Sequence, residues 1–269
     1  MASESNANNM SFLDHLEQLR WHLIRSTVAV MIGTVLAFLN KSFLFDTLIF
    51  GPKSPTFWTY VQICQWSQAI GANMFCFEEM PFTLLNTKMA GQFSTHIWVS
   101  LIAGIIIAFP YILFEVWRFV KPGLHAGEAR ASKSILSFGG LLFFTGVLFG
   151  YFIIVPLSIQ FLGTYTISDE VNNLIDLSSF ISTVTSVTLA CGLLFELPIL
   201  VYFGARLGFI TSSMMKTYRR HAIVVIMVLS AVITPPDVAS QILVTLPVLV
   251  LYEVGIVIVK RVEKQQKTA

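Results

Sequence analysis

Charged side chains are scarce in this sequence. Only 12% of its 269 residues are charged and 55% are hydrophobic, whereas a soluble domain usually carries about 25% charged residues. A chain of this composition cannot cover a water-facing surface and needs lipid as its solvent. The net charge of +2 is small, and no basic stripe is interleaved with aromatic residues, so we expect no nucleic-acid partner.

The sequence also lacks the residue patterns of metal and catalytic sites. Its three cysteines include no CxxC pair and no His/Cys spacing suited to zinc, so we expect no metal and no cofactor. No Ser/His pair, paired aspartates or metal-ligand set falls at one membrane level, which argues against an enzyme. No internal repeat of the kind that marks many alternating-access carriers is evident. The first ten residues are polar, so we expect no cleavable signal peptide, and the first spanning helix then targets the chain.

Long apolar segments occupy most of the remaining sequence. A spanning helix needs about 20 predominantly apolar residues to cross about 30 Å of hydrocarbon. The sequence therefore predicts an all-α integral membrane protein, a single polytopic domain with about six spans. These spans are residues 23–39, 93–114, 135–155, 180–203, 221–234 and 238–259. The fifth reaches only about 21 Å at 1.5 Å per residue, so we expect a thinned bilayer or a partner covering that edge.

The distribution of Lys and Arg predicts the orientation, because positive residues are retained on the cytoplasmic side. Fourteen of the seventeen fall on the side of the two termini, and only Lys41, Lys53 and Lys88 fall on the other. The fourteen are Arg20, Arg25, Arg118, Lys121, Arg130, Lys133, Arg206, Lys216, Arg219, Arg220, Lys260, Arg261, Lys264 and Lys267. We therefore expect both termini to be cytoplasmic.

Two segments outside the spans have predicted structure. Apolar residues at 12, 16, 19 and 23 indicate an amphipathic helix lying at the membrane interface before the first span. The first external loop, Asn40 to Gln92, is long, apolar and aromatic, so we expect a packed cap with its rings at headgroup level. Cys64 and Cys76 of this loop face a compartment where disulfides persist. Two interpretations remain open: the two cysteines form a disulfide, or they are unrelated buried thiols.

Three polar residues lie within predicted spans. Glu196 is deep in the fourth, where a charge costs at least about 2.5 kcal/mol, so it is protonated, paired or beside a wet cavity. Two interpretations remain open: Glu196 has a functional role, or it is a protonated carboxyl group that forms a hydrogen bond between helices. Gln241 lies one turn after Asp237. Either it contributes to a polar patch beside the fifth span or it has no such role, and both interpretations remain open. Glu253 lies near the cytoplasmic end, where it reaches the interface or pairs with Lys260.

Three acids, Glu17, Glu115 and Glu128, lie on the side that is otherwise basic. One interpretation is a surface ion pair for each, worth about 0–1 kcal/mol. The other is a site for arginine, because guanidinium groups bind carboxylates through bidentate charge-assisted hydrogen bonds.

Several stretches resemble the TatC family of the twin-arginine protein translocase. They are residues 14–20 (DHLEQLR), 115–124 (EVWRFVKPGL), 128–130 (EAR), 150–157 (GYFIIVPL), 195–198 (FELP) and 234–241 (TPPDVASQ). The resemblance implies a receptor in the bacterial plasma (inner) membrane that binds twin-arginine signal peptides of folded precursors. It also implies that this receptor forms a hetero-oligomer in the lipid bilayer with single-span partners of the TatA and TatB type. The complex would export the precursors using the proton-motive force.

The resemblance also implies roles for individual residues. Glu128 matches the acid that receives the signal arginines, Phe119 and Leu124 match apolar contacts in the same loop, and Arg20 and Arg130 match basic positions. Glu196, Pro235, Asp237 and Gln241 match positions linked to partner-helix contact and transport.

Two departures from the family pattern lie near the start of the chain. The pattern reads His-Leu-x-Glu-Leu-Arg-x-Arg, but here Gln18 stands at the Glu position and His22 at the final Arg position. Gln18 accepts a hydrogen bond without a negative charge, and Glu17 is turned about 100° around the helix. We therefore assign most of the arginine recognition to Glu128. The alternative function is a proton- or ion-coupled secondary transporter with Glu196 and Glu253 as proton carriers.

Overall fold

The computed structural model describes residues 12–69, 71, 76, 82–120, 131–168 and 173–268. Ten α-helices occur within these ranges: α1 (Phe12–Leu39), α2 (Trp58–Ala69), α3 (Gly91–Val120), α4 (Ala131–Phe149), α5 (Val155–Thr164), α6 (Leu177–Phe195), α7 (Leu197–Arg206), α8 (Ser212–Thr217), α9 (Arg219–Ile233) and α10 (Val238–Thr268). Two π-helical segments, Phe43–Ile49 and Gly150–Ile154, and a 3-10 turn, Gly51–Lys53, complete the helical structure of these ranges. The strands are β1 (Thr83–Leu85) and β2 (Leu174–Asp176).

Five helical stretches are long and apolar enough to cross a membrane. They are Leu16–Leu39, Gly91–Phe119, Ser137–Thr164, Leu177–Arg206 and Val238–Gln266. The predicted fifth span corresponds to α9, whose 15 residues reach only about 22 Å at 1.5 Å per residue. The predicted all-α membrane fold class is confirmed.

The third stretch extends nine residues beyond its predicted end at 155, to Thr164. Pro156, next to that predicted end, lies in the first turn of α5, directly after the π-helical segment Gly150–Ile154. Proline is tolerated in a first helical turn because the N–H groups there need no partner within the helix.

Helix α1 runs without a break from Phe12 to Leu39. The sequence predicted a separate interfacial helix before residue 23, and this detail differs: the amphipathic residues form the first turns of the spanning helix itself. No proline interrupts the segment, so nothing in the chain favours a bend there. Its contact with α3 is close, since a Cβ atom on Gly33 would lie 2.9 Å from the carbonyl oxygen of Gly104.

The predicted structured cap is present. It is formed by the loops at the Leu39 end of α1. Tyr60 of α2 is 2% exposed, and its hydroxyl lies 2.8 Å from the carbonyl oxygen of Pro156. Burial raises the pKa of this hydroxyl above its usual range. Cys64 and Cys76 are joined by a disulfide.

Strands β1 and β2 pair in parallel and connect the first loop of the cap to the second, with Thr83 opposite Leu174. The sequence analysis did not predict them, because strands of three residues carry no clear period of two. Asp176 ends β2 and caps α6 by accepting the backbone N–H of Ser178 at 2.9 Å. Hydrogen bonds from Ser178 and Thr87 lower the pKa of Asp176 to about 2.

Candidate functional site

The sequence-predicted recognition residues fall into two groups. Glu128, Leu124 and Arg130 lie outside the described residues. Phe119 lies at the end of α3, and Glu17, Gln18 and Arg20 lie in the first turns of α1. The structure therefore shows the end of α3 that precedes the predicted recognition loop, together with the first turns of α1.

A buried carboxylate joins these helix ends. Glu115 of α3 is 1% exposed, and its Oε2 lies 2.5 Å from Nδ1 of His22 and 3.9 Å from Nη1 of Arg25, both on α1. The hydroxyl of Tyr111, one turn earlier on α3, also hydrogen-bonds this carboxylate. A buried charge is tolerated only when it is paired and hydrogen-bonded. We call these four residues the α1–α3 clasp.

The clasp bears on two residues singled out in the sequence. Glu115 was considered either as half of a surface ion pair or as a site for arginine, and His22 as a departure from the family pattern at an Arg position. Instead, Glu115 is buried, and His22 supplies its nearest hydrogen-bonding partner. The ring of His22 also meets Phe119 edge-on, with centroids 6.1 Å apart. Glu115 lies between the apolar residues 112–114 and 116–117, and this context is the sequence signal that could have predicted its burial.

The remaining α1 residues divide between two faces. Gln18 is half-buried and lies one turn before His22, so it shares the face turned toward α3. Glu17 and Arg20 are exposed and form an ion pair at 3.3 Å. Exposed pairs of this kind contribute about 0–1 kcal/mol, so this pair adds little to the stability of α1.

Glu196 lies at the junction between α6 and α7. It is 6% exposed, and in the part of the chain that the structure describes neither carboxyl oxygen has a hydrogen-bonding partner. The carboxyl points toward α4, because Oε2 would lie 3.5 Å from a Cβ atom placed on Gly139. Pro198 follows in the first turn of α7, where its missing N–H is tolerated.

The residues around the turn between α9 and α10 form a second polar group. Asp237 is 4% exposed and caps α10, since its Oδ1 accepts the backbone N–H of Ser240 at 2.6 Å. Gln241 donates from Nε2 to the carbonyl oxygen of Met227 in α9, at 3.3 Å. Pro235 begins the turn itself. These contacts tie the two helices together at the cap side of the membrane.

Glu196 and this turn lie at different depths. Helices α7 and α10 run in the same direction, since a Cβ atom on Gly255 would lie 2.9 Å from Cγ2 of Val201 and Arg206 bonds Gln265 further along. Glu196 is five residues before Val201 and Gln241 is 14 before Gly255, so the two differ in level by nine residues, or about 14 Å at 1.5 Å per residue. The predicted intramembrane group is therefore two sites.

Glu253 pairs with Arg219, with Nε to Oε1 at 2.9 Å and both side chains about half exposed. The alternative that Glu253 pairs with Lys260 was therefore wrong. Helix α9 begins at Arg219 and is antiparallel to α10. The first turn of α9 therefore lies beside Glu253.

Comparison with known proteins identifies the family. Residues 14–247 match the family described as Sec-independent protein translocase protein (TatC). This chain belongs to the TatC family. A TatC of Blattabacterium sp. subsp. Periplaneta americana is 37% identical over 98% of this chain and 100% of its own. One from Aquifex aeolicus is 32% identical over 96% of this chain and 98% of its own.

Solved structures agree with this assignment. A crystal structure described as the twin arginine translocase receptor TatC has a TM-score of 0.70 and 32% identity, over 93% of this chain and 99% of that one. A second, of the receptor in the detergent DDM, has a TM-score of 0.72 over 90% of this chain and 97% of that one. This TatC is thus a multi-pass membrane protein and a component of a protein translocase, which is a transport system rather than an enzyme family.

Proposed function

We propose that this TatC is the receptor subunit of a twin-arginine translocase in the bacterial inner membrane. It binds the signal peptides of folded precursors at its cytoplasmic face. The observation that carries the proposal is the α1–α3 clasp. The clasp holds the third and fourth turns of α1 against the last turns of α3, which precede the segment that contains Glu128. The proposal also agrees with the description of a structural relative as a twin arginine translocase receptor.

The chemistry of the proposed site suits arginine. The carboxylate of Glu128 accepts two parallel hydrogen bonds from a guanidinium group, which a lysine ammonium cannot donate in the same geometry. Glu17 adds negative charge on the neighbouring helix, and Gln18 adds a hydrogen-bond acceptor. Phe119 and Leu124 contact the apolar residues that follow the arginines.

The orientation in this proposal follows from the fourteen Lys and Arg residues on the side of both termini. Arg20 and Arg130 lie on that side, near the entry of the peptide. Both termini and the Glu128 loop are then cytoplasmic, and the cap with its disulfide faces the oxidising periplasm.

Partner binding is proposed at α9 and α10. Helix α9 is short, and its side chains Val224, Val225, Val228 and Val232 are between 56% and 78% exposed. Single-span subunits of the TatA and TatB type cover this edge and use the polar groups at Gln241 and Asp237. The apolar part of the signal peptide passes beside Glu196 during transport driven by the proton-motive force.

The test is export of a reporter protein with a twin-arginine signal peptide in cells that carry Glu128→Ala as their only TatC. We expect export to fall at least tenfold, with the membrane level of the protein unchanged. Glu263→Ala is the matched control, because Glu263 is bonded to Ser212 at the far end of α10. Normal export in the Glu128→Ala cells would contradict the proposal.

A further inference from the structure

An apolar groove opens sideways between α1, α3 and the end of α4. Its volume is about 640 Å³. Its mouth is formed by Leu36, Ile107 and Leu148, each more than half exposed, and its floor by Val184 and Thr188 of α6. All three helices at the mouth belong to membrane-spanning stretches, so the groove faces hydrocarbon rather than water.

The groove has a closed roof on the cap side. The π-helical segment Phe43–Ile49 lies over it, and Tyr151 donates its hydroxyl to the carbonyl oxygen of Leu48 at 2.8 Å. The roof is therefore joined to the second π-helical segment by a hydrogen bond, and the open side faces the bilayer.

Water is a poor occupant of this groove. A buried water needs two to four polar partners, and the polar groups in the lining are already bonded within the protein. Asn40 donates to the carbonyl oxygen of Leu36, and Thr185 donates to that of Ile181 and accepts from Trp98. Among the described residues, the hydroxyl of Thr188 is the lining group left without a partner. An empty space of this size would be destabilising in proportion to its volume.

The length of the groove suits an acyl chain of one leaflet. Its lining on α3 runs from Val99 to Ile107, a rise of about 12 Å at 1.5 Å per residue. Half of the hydrocarbon core of a bilayer is about 15 Å thick, so the lining extends over most of one leaflet. Because the mouth faces hydrocarbon, the acyl chains of the bilayer are the apolar molecules that meet it directly.

A positively charged residue follows the lining of the groove in the sequence. Lys41 comes directly after Asn40, which lines the groove, and its side chain is exposed. No ion pair joins Lys41 to an acidic side chain in the described ranges; the nearby Asp46 accepts the hydroxyl of Ser42 at 2.9 Å. A phosphate at headgroup level would meet this ammonium group while its acyl chain extends into the groove.

We propose that this groove is a binding site for a phospholipid of the leaflet on the cap side, with an acyl chain between α1, α3 and α4 and the phosphate beside Lys41. The site does not depend on signal-peptide recognition. It fills the space beneath the roof and links α1 and α3 to α4 through apolar contacts.

The test is photolabelling of the full-length protein in nanodiscs that contain a phosphatidylglycerol with a diazirine on its acyl chain. We expect labels on the floor residues Val184 and Thr188, which lipid that stays outside the groove cannot reach. Ala103→Phe, which fills the floor, is expected to reduce these labels at least fivefold. Val225→Phe on the exposed face of α9 is the matched control and leaves them unchanged.

Two further variants keep the test decisive. Ile107→Trp narrows the mouth without changing the interior, so it replaces Ala103→Phe if that protein does not fold, and we expect the same loss. Lys41→Gln is expected to lower labelling by phosphatidylglycerol at least twofold. Labels confined to the mouth, equal floor labelling in wild type and in the filled variant, or floor labelling only by a photoreactive signal peptide would each overturn the proposal.

Discussion

Replacing His22 by alanine is predicted to weaken the protein at the α1–α3 clasp. The side chains of His22 and Glu115 are only 13% and 2% exposed, so solvent screens their interaction little. Removing one partner of a buried pair usually costs about 3–5 kcal/mol. Here Arg25 and Tyr111 remain near the carboxylate, so we expect a loss of about 2–3 kcal/mol, closer to that of one hydrogen bond to a charged group.

The assay is thermal unfolding of the purified protein in detergent. At about 2–4 °C per kcal/mol for a large domain, His22→Ala lowers the unfolding temperature by roughly 4–12 °C. His221→Ala, at an exposed position in the first turn of α9, is the matched control and changes it by less than about 2 °C, as surface substitutions usually do. His22→Arg restores the lost stability, because a guanidinium group also donates hydrogen bonds to Glu115.

A double variant separates the pair from general damage to the helix. In His22→Ala with Glu115→Gln, the buried charge is removed together with its partner, so the combined loss is smaller than the sum of the single losses by about 1–3 kcal/mol. Additive losses, or an unfolding temperature for His22→Ala equal to that of wild type, would refute the reasoning.

Three other predictions follow from the structure. The side chain of Glu196 has no hydrogen-bonding partner among the described residues, and Glu196→Gln keeps its size. The unfolding temperature of this variant therefore equals or exceeds that of wild type, while precursor export, measured in cells, falls. Cys64→Ser removes a disulfide that spans 12 residues, and loop-closure entropy predicts a loss of about 3 kcal/mol, measured as faster proteolysis of the cap relative to a Cys191→Ser control. The lowered pKa of Asp176, about 2, favours the folded state above pH 4, and this contribution is lost as the pH falls from about 4 to about 2. Ser178→Ala removes its main hydrogen-bond donor, so the unfolding temperature of this variant declines less steeply over that pH range than that of wild type.

The sequence predicted the fold well because its main signals are local. Apolar length located the long helices, and the interval 221–234 predicted the short helix that the structure shows as α9. The aromatic content of the loop after residue 40 predicted a packed cap. The pairing of β1 with β2 was missed because it joins segments about 90 residues apart, and no local pattern encodes such a pairing.

The site was predicted less completely because its contacts are between helices. Glu115 and His22 are 93 residues apart, and the burial of one depends on the packing of α1 against α3 at Gly33 and Gly104. Glu128 is assigned by resemblance, and its role stays a prediction.

The most direct test of the receptor function is binding of a labelled twin-arginine signal peptide to the purified protein in nanodiscs, with a twin-lysine peptide for comparison. We predict that the arginine peptide binds at least tenfold more tightly, a difference of about 1.4 kcal/mol, and that Glu128→Gln removes the preference while the clasp keeps the protein folded. Equal affinity for the two peptides in a folded sample would contradict the account.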